Sequence, residues 1–252
     1  MAMAESIVIA DMSWTEVDEA LKDRPVALVP VGATEAHGPH LPVSTDTVIA
    51  TELARRGAAK LKEHGVPSLI LPPVPYLVAE LGADFAGTIS LPPETEVALL
   101  RDLAVLASKR FRAVAFIGVH VEPAHMECLK RAVEEAAKAG AKATYVNITK
   151  KRWADILGEG FQSRNHGGAW ETSLMMAAAP QMVRDSVRRN LPPVESPAQA
   201  LQKGARTFAE AGGEEAYFGD PTAATVEDGE GHFDALAEVV SLSVMEYLGS
   251  KA

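Results

Sequence analysis

The sequence predicts an α/β fold built on a largely parallel sheet. Three observations lead there: short apolar runs recur along the 252 residues, helical stretches of several turns separate them, and 47% of the residues are hydrophobic. Alternation of this kind is the mark of βαβ units. Residues 25–33 (PVALVPVGA) read as a buried strand, because a strand covered on both faces is continuously apolar. Residues 47–62, rich in Ala, Leu, Glu and Lys, follow as a helix. Residues 68–74 (SLILPPV) make a second strand. A helix over 94–110 is entered through Pro92 and Pro93, where a missing N–H is tolerated. Residues 113–119 (AVAFIGV) are the most strand-like, 124–139 form a helix closed by Gly140, and 143–148 (ATYVNI) form a further strand. The second half is less regular. Helices are expected over 169–178, 198–211 and 233–248, with Pro-rich 191–197 and Gly-rich 212–231 as loops between them. No compositional break, repeat or low-complexity tract interrupts the chain, so residues 1–252 read as one domain.

Composition excludes several partners. Lys and Arg total 24 against 34 Asp and Glu, a net charge of −10, which lacks the basic footprint that nucleic acid or an anionic membrane requires. The short runs Lys150–Arg152 and Arg188–Arg189 read as solvated faces. One cysteine, Cys128, rules out an internal disulfide and a cysteine-based zinc ribbon. No apolar run reaches membrane-span length, and residues 1–10 lack a basic leader region. The expected setting is cytoplasmic, with a small molecule as substrate.

Two strand ends carry the same device. The first runs out through Gly32 into Glu35-Ala36-His37, the second through Gly118 into His120-Val121-Glu122. In extended backbone, residues i and i+2 point to one side, so each end presents a carboxylate and an imidazole to a common space. That space is the carboxyl edge of the sheet, where open α/β sheets put their sites. Asp46 precedes the next helix, and a carboxylate there is either an N-cap or a further ligand. Three carboxylates and two histidines suit two divalent ions, with Asp46 as bridge. Mixed nitrogen and oxygen donors favour zinc or manganese. Such a pair acidifies a shared water, and the resulting bridging hydroxide attacks a carbonyl.

The stretch Pro30-Val-Gly-Ala-Thr-Glu-Ala-His-Gly-Pro-His-Leu-Pro42, followed by Thr45-Asp46, resembles the signature of the creatininase (creatinine amidohydrolase) family. His166-Gly-Gly-Ala-Trp-Glu-Thr-Ser173 resembles a second family segment, and Gly219-Asp-Pro221 through Gly229 a third. The resemblance implies a three-layer α/β/α sandwich with a mainly parallel central sheet and a binuclear centre, assembled as a homohexamer. It assigns Glu35 and His120 to one metal, His37 and Glu122 to the other, and Asp46 to both. His166 falls at the position of a proton-transferring histidine, with Glu171 close by to orient it or approach the metals. Trp170 is expected to line the pocket, and Trp153 to match a substrate-side tryptophan. The second strand end keeps a Glu two residues after His120 but lacks the asparagines many members carry around it.

The expected activity is hydrolysis of an amide-type C–N bond in a small cyclic amide, with His166 protonating the departing nitrogen. Alternatives on the same ligand set are ring C–C hydrolysis of a keto-inositol, deformylation and peptide cleavage. A non-catalytic, metal-stabilised binding protein is the contrasting class. Cys128, His64 and His125 read as bystanders, while His232, Arg164 and Asn165 are further candidates for contact with a polar substrate.

Overall fold

Four strands, Val26–Pro30 (β1), Ser68–Ile70 (β2), Ala113–Ile117 (β3) and Ala143–Tyr145 (β4), pair in parallel in the order β2-β1-β3-β4. They belong to a computed structural model that describes residues 7–162 and 164–249. Residues 1–6, within the N-terminal stretch read as lacking a leader, lie outside the described residues. The strands are shorter than their apolar runs. Pro72 and Pro73 end β2 early, since proline has no N–H for the ladder.

Among the described residues the helices are Trp14–Ala20 (α1), Thr45–Glu63 (α2), Pro93–Ala107 (α3), Pro123–Lys138 (α4), Ala154–Gln162 (α5), Ala169–Ala178 (α6), Asp185–Arg188 (α7), Ala198–Gln202 (α8) and Val226–Tyr247 (α9). Strand residues alternate between two cores. Val26, Leu28, Ala115 and Ile117 meet α2, α6 and α9 on one face. Ala27, Val29, Val114 and Phe116 meet α3 and α4 on the other. The result is the three-layer α/β/α arrangement, each face covered because both faces of a parallel sheet are apolar. None of the described helices is long and apolar enough to cross a membrane.

The second half departs from expectation in three places. The helix expected over 198–211 stops at Gln202, two residues before Gly204 at φ +104°. The Gly-rich segment is not wholly loop: α9 begins at Val226, where the Thr225 hydroxyl accepts from the Asp228 N–H. Gly229 is there for contact, because a Cβ on it would sit 2.0 Å from the Ser173 carbonyl oxygen of α6. Arg188 is also not solvated. It is 6% exposed and joins Asp185 to the carbonyls of Pro221 and Thr222.

Glycine inside a helix normally costs about 1 kcal/mol relative to alanine. Gly229→Ala is nonetheless expected to lose about 1–3 kcal/mol of stability through overpacking against α6. Gly231→Ala, which meets nothing within 4 Å, is expected to hold or gain. Urea unfolding of both variants checks this, and a stabilised Gly229→Ala would contradict the packing role.

Candidate metal centre

The strand order puts β1 and β3 side by side, at the point where the chain, having gone from β1 to β2, crosses to the other side. That switch point leaves a crevice beyond the carboxyl ends of the strands. Two glycines bring the walls together. A Cβ on Gly118 would lie 2.3 Å from the Val31 carbonyl oxygen, and one on Gly32 would lie 2.5 Å from the Thr47 nitrogen. The ends of β1 and β3 and the start of α2 therefore touch backbone to backbone.

Asp46 sits in the first turn of α2 but does not cap it. One carboxylate oxygen, Oδ2, accepts from the Ala33 N–H at 3.3 Å and lies 3.2 Å from His120 Nδ1. The other, Oδ1, lies 3.4 Å from His37 Nε2. Glu35 Oε2 is 3.5 Å from His120 Nδ1, and Glu171 Oε2 is 3.7 Å from His37 Nε2. Each ring is turned by a backbone carbonyl. His37 Nδ1–H donates to Glu35 O at 3.0 Å, and His120 Nε2–H to Val78 O at 2.9 Å. The opposite nitrogens are thereby turned toward the carboxylates, where each holds a proton or, once that proton is lost, offers a lone pair to a cation.

Three compact groups of potential ligands result: Glu35 with Asp46 and His120, His37 with Asp46 and Glu171, and Glu35 with His37 and His166. The first two share Asp46. Among the described residues both Glu35 oxygens, Asp46 Oδ1 and His37 Nε2 are buried without a hydrogen-bond partner, a condition that is costly unless something else satisfies them. These donors, hard oxygens and imidazole nitrogens in mixed sets, fit divalent zinc or manganese.

Glu122 and Trp153 stand apart from the arrangement expected of them. The Glu122 carboxylate is outside all three groups and accepts from the Glu80 and Leu81 N–H groups at 3.0 and 3.2 Å. Glu171 occupies the place beside His37 because α6 begins just after the Gly167-Gly168 turn, with Gly167 N–H donating to Glu171 Oε2 at 2.7 Å. Trp153 is buried in the core, its Nε1–H donating to Asn147 O, and does not line the crevice. Trp170 does line it, backed edge-on by Phe161.

His166 donates from Nε2 to Ala36 O at 2.7 Å, with Nδ1 3.9 Å from Glu35 Oε2. Its ring stacks on Phe208 with centroids 4.1 Å apart. The Phe208 N–H donates to Leu81 O, so two hydrogen bonds and one ring contact link Glu122, Leu81, Phe208 and His166. Local sequence carried no sign of Phe208 or Leu81. Nor did it mark His125 and Glu96, a buried pair 2.7 Å apart behind His120. Glu96 accepts from the Val78 N–H, whose carbonyl orients His120.

Electrostatics follow from this packing. Burial disfavours charge on His37, but Asp46, then Glu171 and Glu35, outweigh it and raise the ring to about 10. His120 is raised well above the usual histidine range against the same penalty. Burial would raise Asp46, yet His37 and His120 hold it well below the ordinary carboxylate range. Burial raises Glu35 to about 7, and raises Glu171 too. Burial and the charge on His37 push His166 well below its usual value.

Comparison with known proteins gives the family and the fold. The family described as creatininase, creatinine amidohydrolase, matches residues 10–243. The mycofactocin precursor peptide peptidase of Mycolicibacterium smegmatis is 31% identical over 223 residues, 86% of this chain and 82% of that one. The creatinine amidohydrolase of Pseudomonas putida is 27% identical over 196 residues, 72% and 75% of the two chains. A solved structure named Creatininase Mn has a TM-score of 0.74 at 20% identity, covering 96% of this chain and 98% of that chain.

Below about 10 His37 holds a proton in the cation-free protein, so a cation binding there at neutral pH must expel it. Zinc or manganese affinity is expected to rise with pH, by about tenfold per unit for each proton displaced. Calorimetry in buffers of different ionisation heat reads the release; heat independent of buffer would argue against the cluster as the binding site.

Proposed function

The chain belongs to the creatininase family, and on that premise we propose that it is a metal-dependent hydrolase of an amide-type C–N bond. The observation that carries this reading is the set of buried, unpartnered ligand atoms on Glu35, His37 and Asp46. In our reading two divalent ions are held, one by Glu35, Asp46 and His120, the other by His37, Asp46 and Glu171. Zinc and manganese both suit these donors, and creatininases described as Mn and as Zn-Zn type are among the solved neighbours. Such ions acidify a water and polarise a carbonyl when bound.

The chain's own groups do the rest. His166 is kept neutral, and its Nε2–H is committed to Ala36 O, so Nδ1 is the atom free to take a proton from the attacking water. Returning that proton to the leaving nitrogen completes hydrolysis: the C–N bond breaks, a C–O bond forms and an amine departs. Phe208 shields the ring and holds its plane. Glu122, bonded to the amides of Glu80 and Leu81, fixes the segment on which Phe208 rests.

Two observations bear on whether the amide is a small ring or a peptide-type bond. The crevice measures about 360 Å³, within the range of sites for drug-sized ligands. The peptidase relative also matches more of this chain than the P. putida relative does. The volume admits either, and the relative's coverage favours an open-chain or peptide-like amide as the second reading beside the cyclic one. As part of the same proposal, residues 1–252 act as one domain within a homo-oligomer.

Chelation is expected to abolish turnover, and zinc or manganese to restore it. His166→Ala should lose about 10²–10⁴-fold in kcat while keeping its metal content. A screen of lactams, cyclic ureas, formamides and short peptides, with metal analysis of each preparation, measures both. Full turnover by His166→Ala would remove its role, and inactivity of the metal-loaded protein on every amide would sink the hydrolase reading.

A further inference from the structure

One cation in the crevice has no use in the mechanism above. Arg164 lines the same cavity as Glu35, His120 and His166, two residues before the proton-transferring histidine. It is half-buried, and its position is built rather than loose. Its backbone N–H and its Nη1 both donate to Phe161 O, at 3.3 and 2.9 Å, and its guanidinium lies 3.9 Å from the centroid of the Phe161 ring. Stacking and a carbonyl clamp of this kind fix the plane of the fork.

Among the described residues no carboxylate lies within ion-pair distance of Arg164; other arginines, such as Arg55 and Arg184, also lack one, but none of those lines this crevice. Among the described residues one of its five N–H donors has a hydrogen-bond acceptor. A half-buried guanidinium without an anion is an unmet electrostatic demand, because partial burial removes water without supplying a counter-charge. Burial accordingly lowers it from the usual arginine value, with only Glu171 opposing. The crevice that Arg164 lines is also lined by Leu81, Leu201 and Phe208, together with polar Asn165 and Ser196.

We propose that Arg164 anchors a carboxylate carried by the substrate, so that the amides hydrolysed here are amides of acids with a free carboxylate. This rests on the hydrolase reading and narrows its substrate class. The planar, stacked fork suits bidentate recognition of a carboxylate. The anion would be held beside the ligand cluster rather than on it, leaving the scissile carbonyl to face His166 Nδ1. An open-chain acylated amino acid and a carboxylated lactam share this chemistry.

The test uses matched pairs differing only in that group: N-benzoylglycine against N-benzoylglycinamide for the open chain, and pyroglutamate against its carboxamide for the ring. With zinc- or manganese-loaded protein, at least one acid should exceed its neutral partner by about tenfold or more in kcat/KM. That ratio should fall toward one in Arg164→Gln and be partly retained in Arg164→Lys. Binding of the same acids to metal-stripped protein, followed by calorimetry, gives a readout independent of turnover and of the ions. Arg164-dependent binding without turnover of any amide would leave the carboxylate site standing and the hydrolase reading refuted. Equal handling of acid and amide by the wild type, a preference unchanged in Arg164→Gln, or no binding of either acid would overturn the proposal.

Discussion

Keeping Glu35, Asp46 and Glu171 together with His37, His120 and His166 in one nearly dry space is the constraint on which the rest of the structure depends. An isolated buried ion costs several kcal/mol even after relaxation. Asp46 escapes that cost because an imidazole flanks each of its oxygens. The imidazoles gain protons for the same reason. Glu35 has no hydrogen bond on either oxygen among the described residues and, like Glu171, is pushed toward neutrality. Protons answer only part of this set of lone pairs, which makes the cluster a candidate site for divalent cations.

The fold serves that constraint by close approach. Parallel pairing of β1 with β3 aligns two strand ends, and glycines at 32 and 118 let a helix start and a neighbouring strand end come within backbone contact. Gly82 does the same for the covering loop, since a Cβ there would lie 2.8 Å from Glu35. Behind the cluster the groups are bonded outward. Val78 is held by Glu96 and holds His120, while Glu122 holds Leu81, on which Phe208 and then His166 depend. Hydrogen-bonded support of this sort is what fixes ligand orientation. Arg164 lines the same crevice as Glu35, His120 and His166.

The first half of the fold was legible because local rules decide it: apolar runs, proline entries and glycine exits mark the alternating strands and helices through residue 148. The second half was less so. Glycines that read as loop in 212–231 turned out in part to be helix–helix contacts, as at Gly229. A glycine chosen for a φ angle and one chosen for a missing side chain look alike in one dimension. Likewise Arg188, in a run that read as solvated, is buried by carbonyls more than thirty residues away.

The sequence by itself determined the candidate ligand types, the convergence of Glu35 and His37 at one strand end with His120 at the other, and the family to which the chain belongs, because these rest on backbone geometry and motifs a few residues long. Only the tertiary structure decided that Glu171 rather than Glu122 stands beside His37, that Trp153 turns into the core, and that Glu96, Leu81 and Phe208 support the histidines. Those outcomes depend on how α3, α6 and the covering loops pack over the strand ends. Packing compares distances between residues far apart in the chain, and no short pattern encodes them.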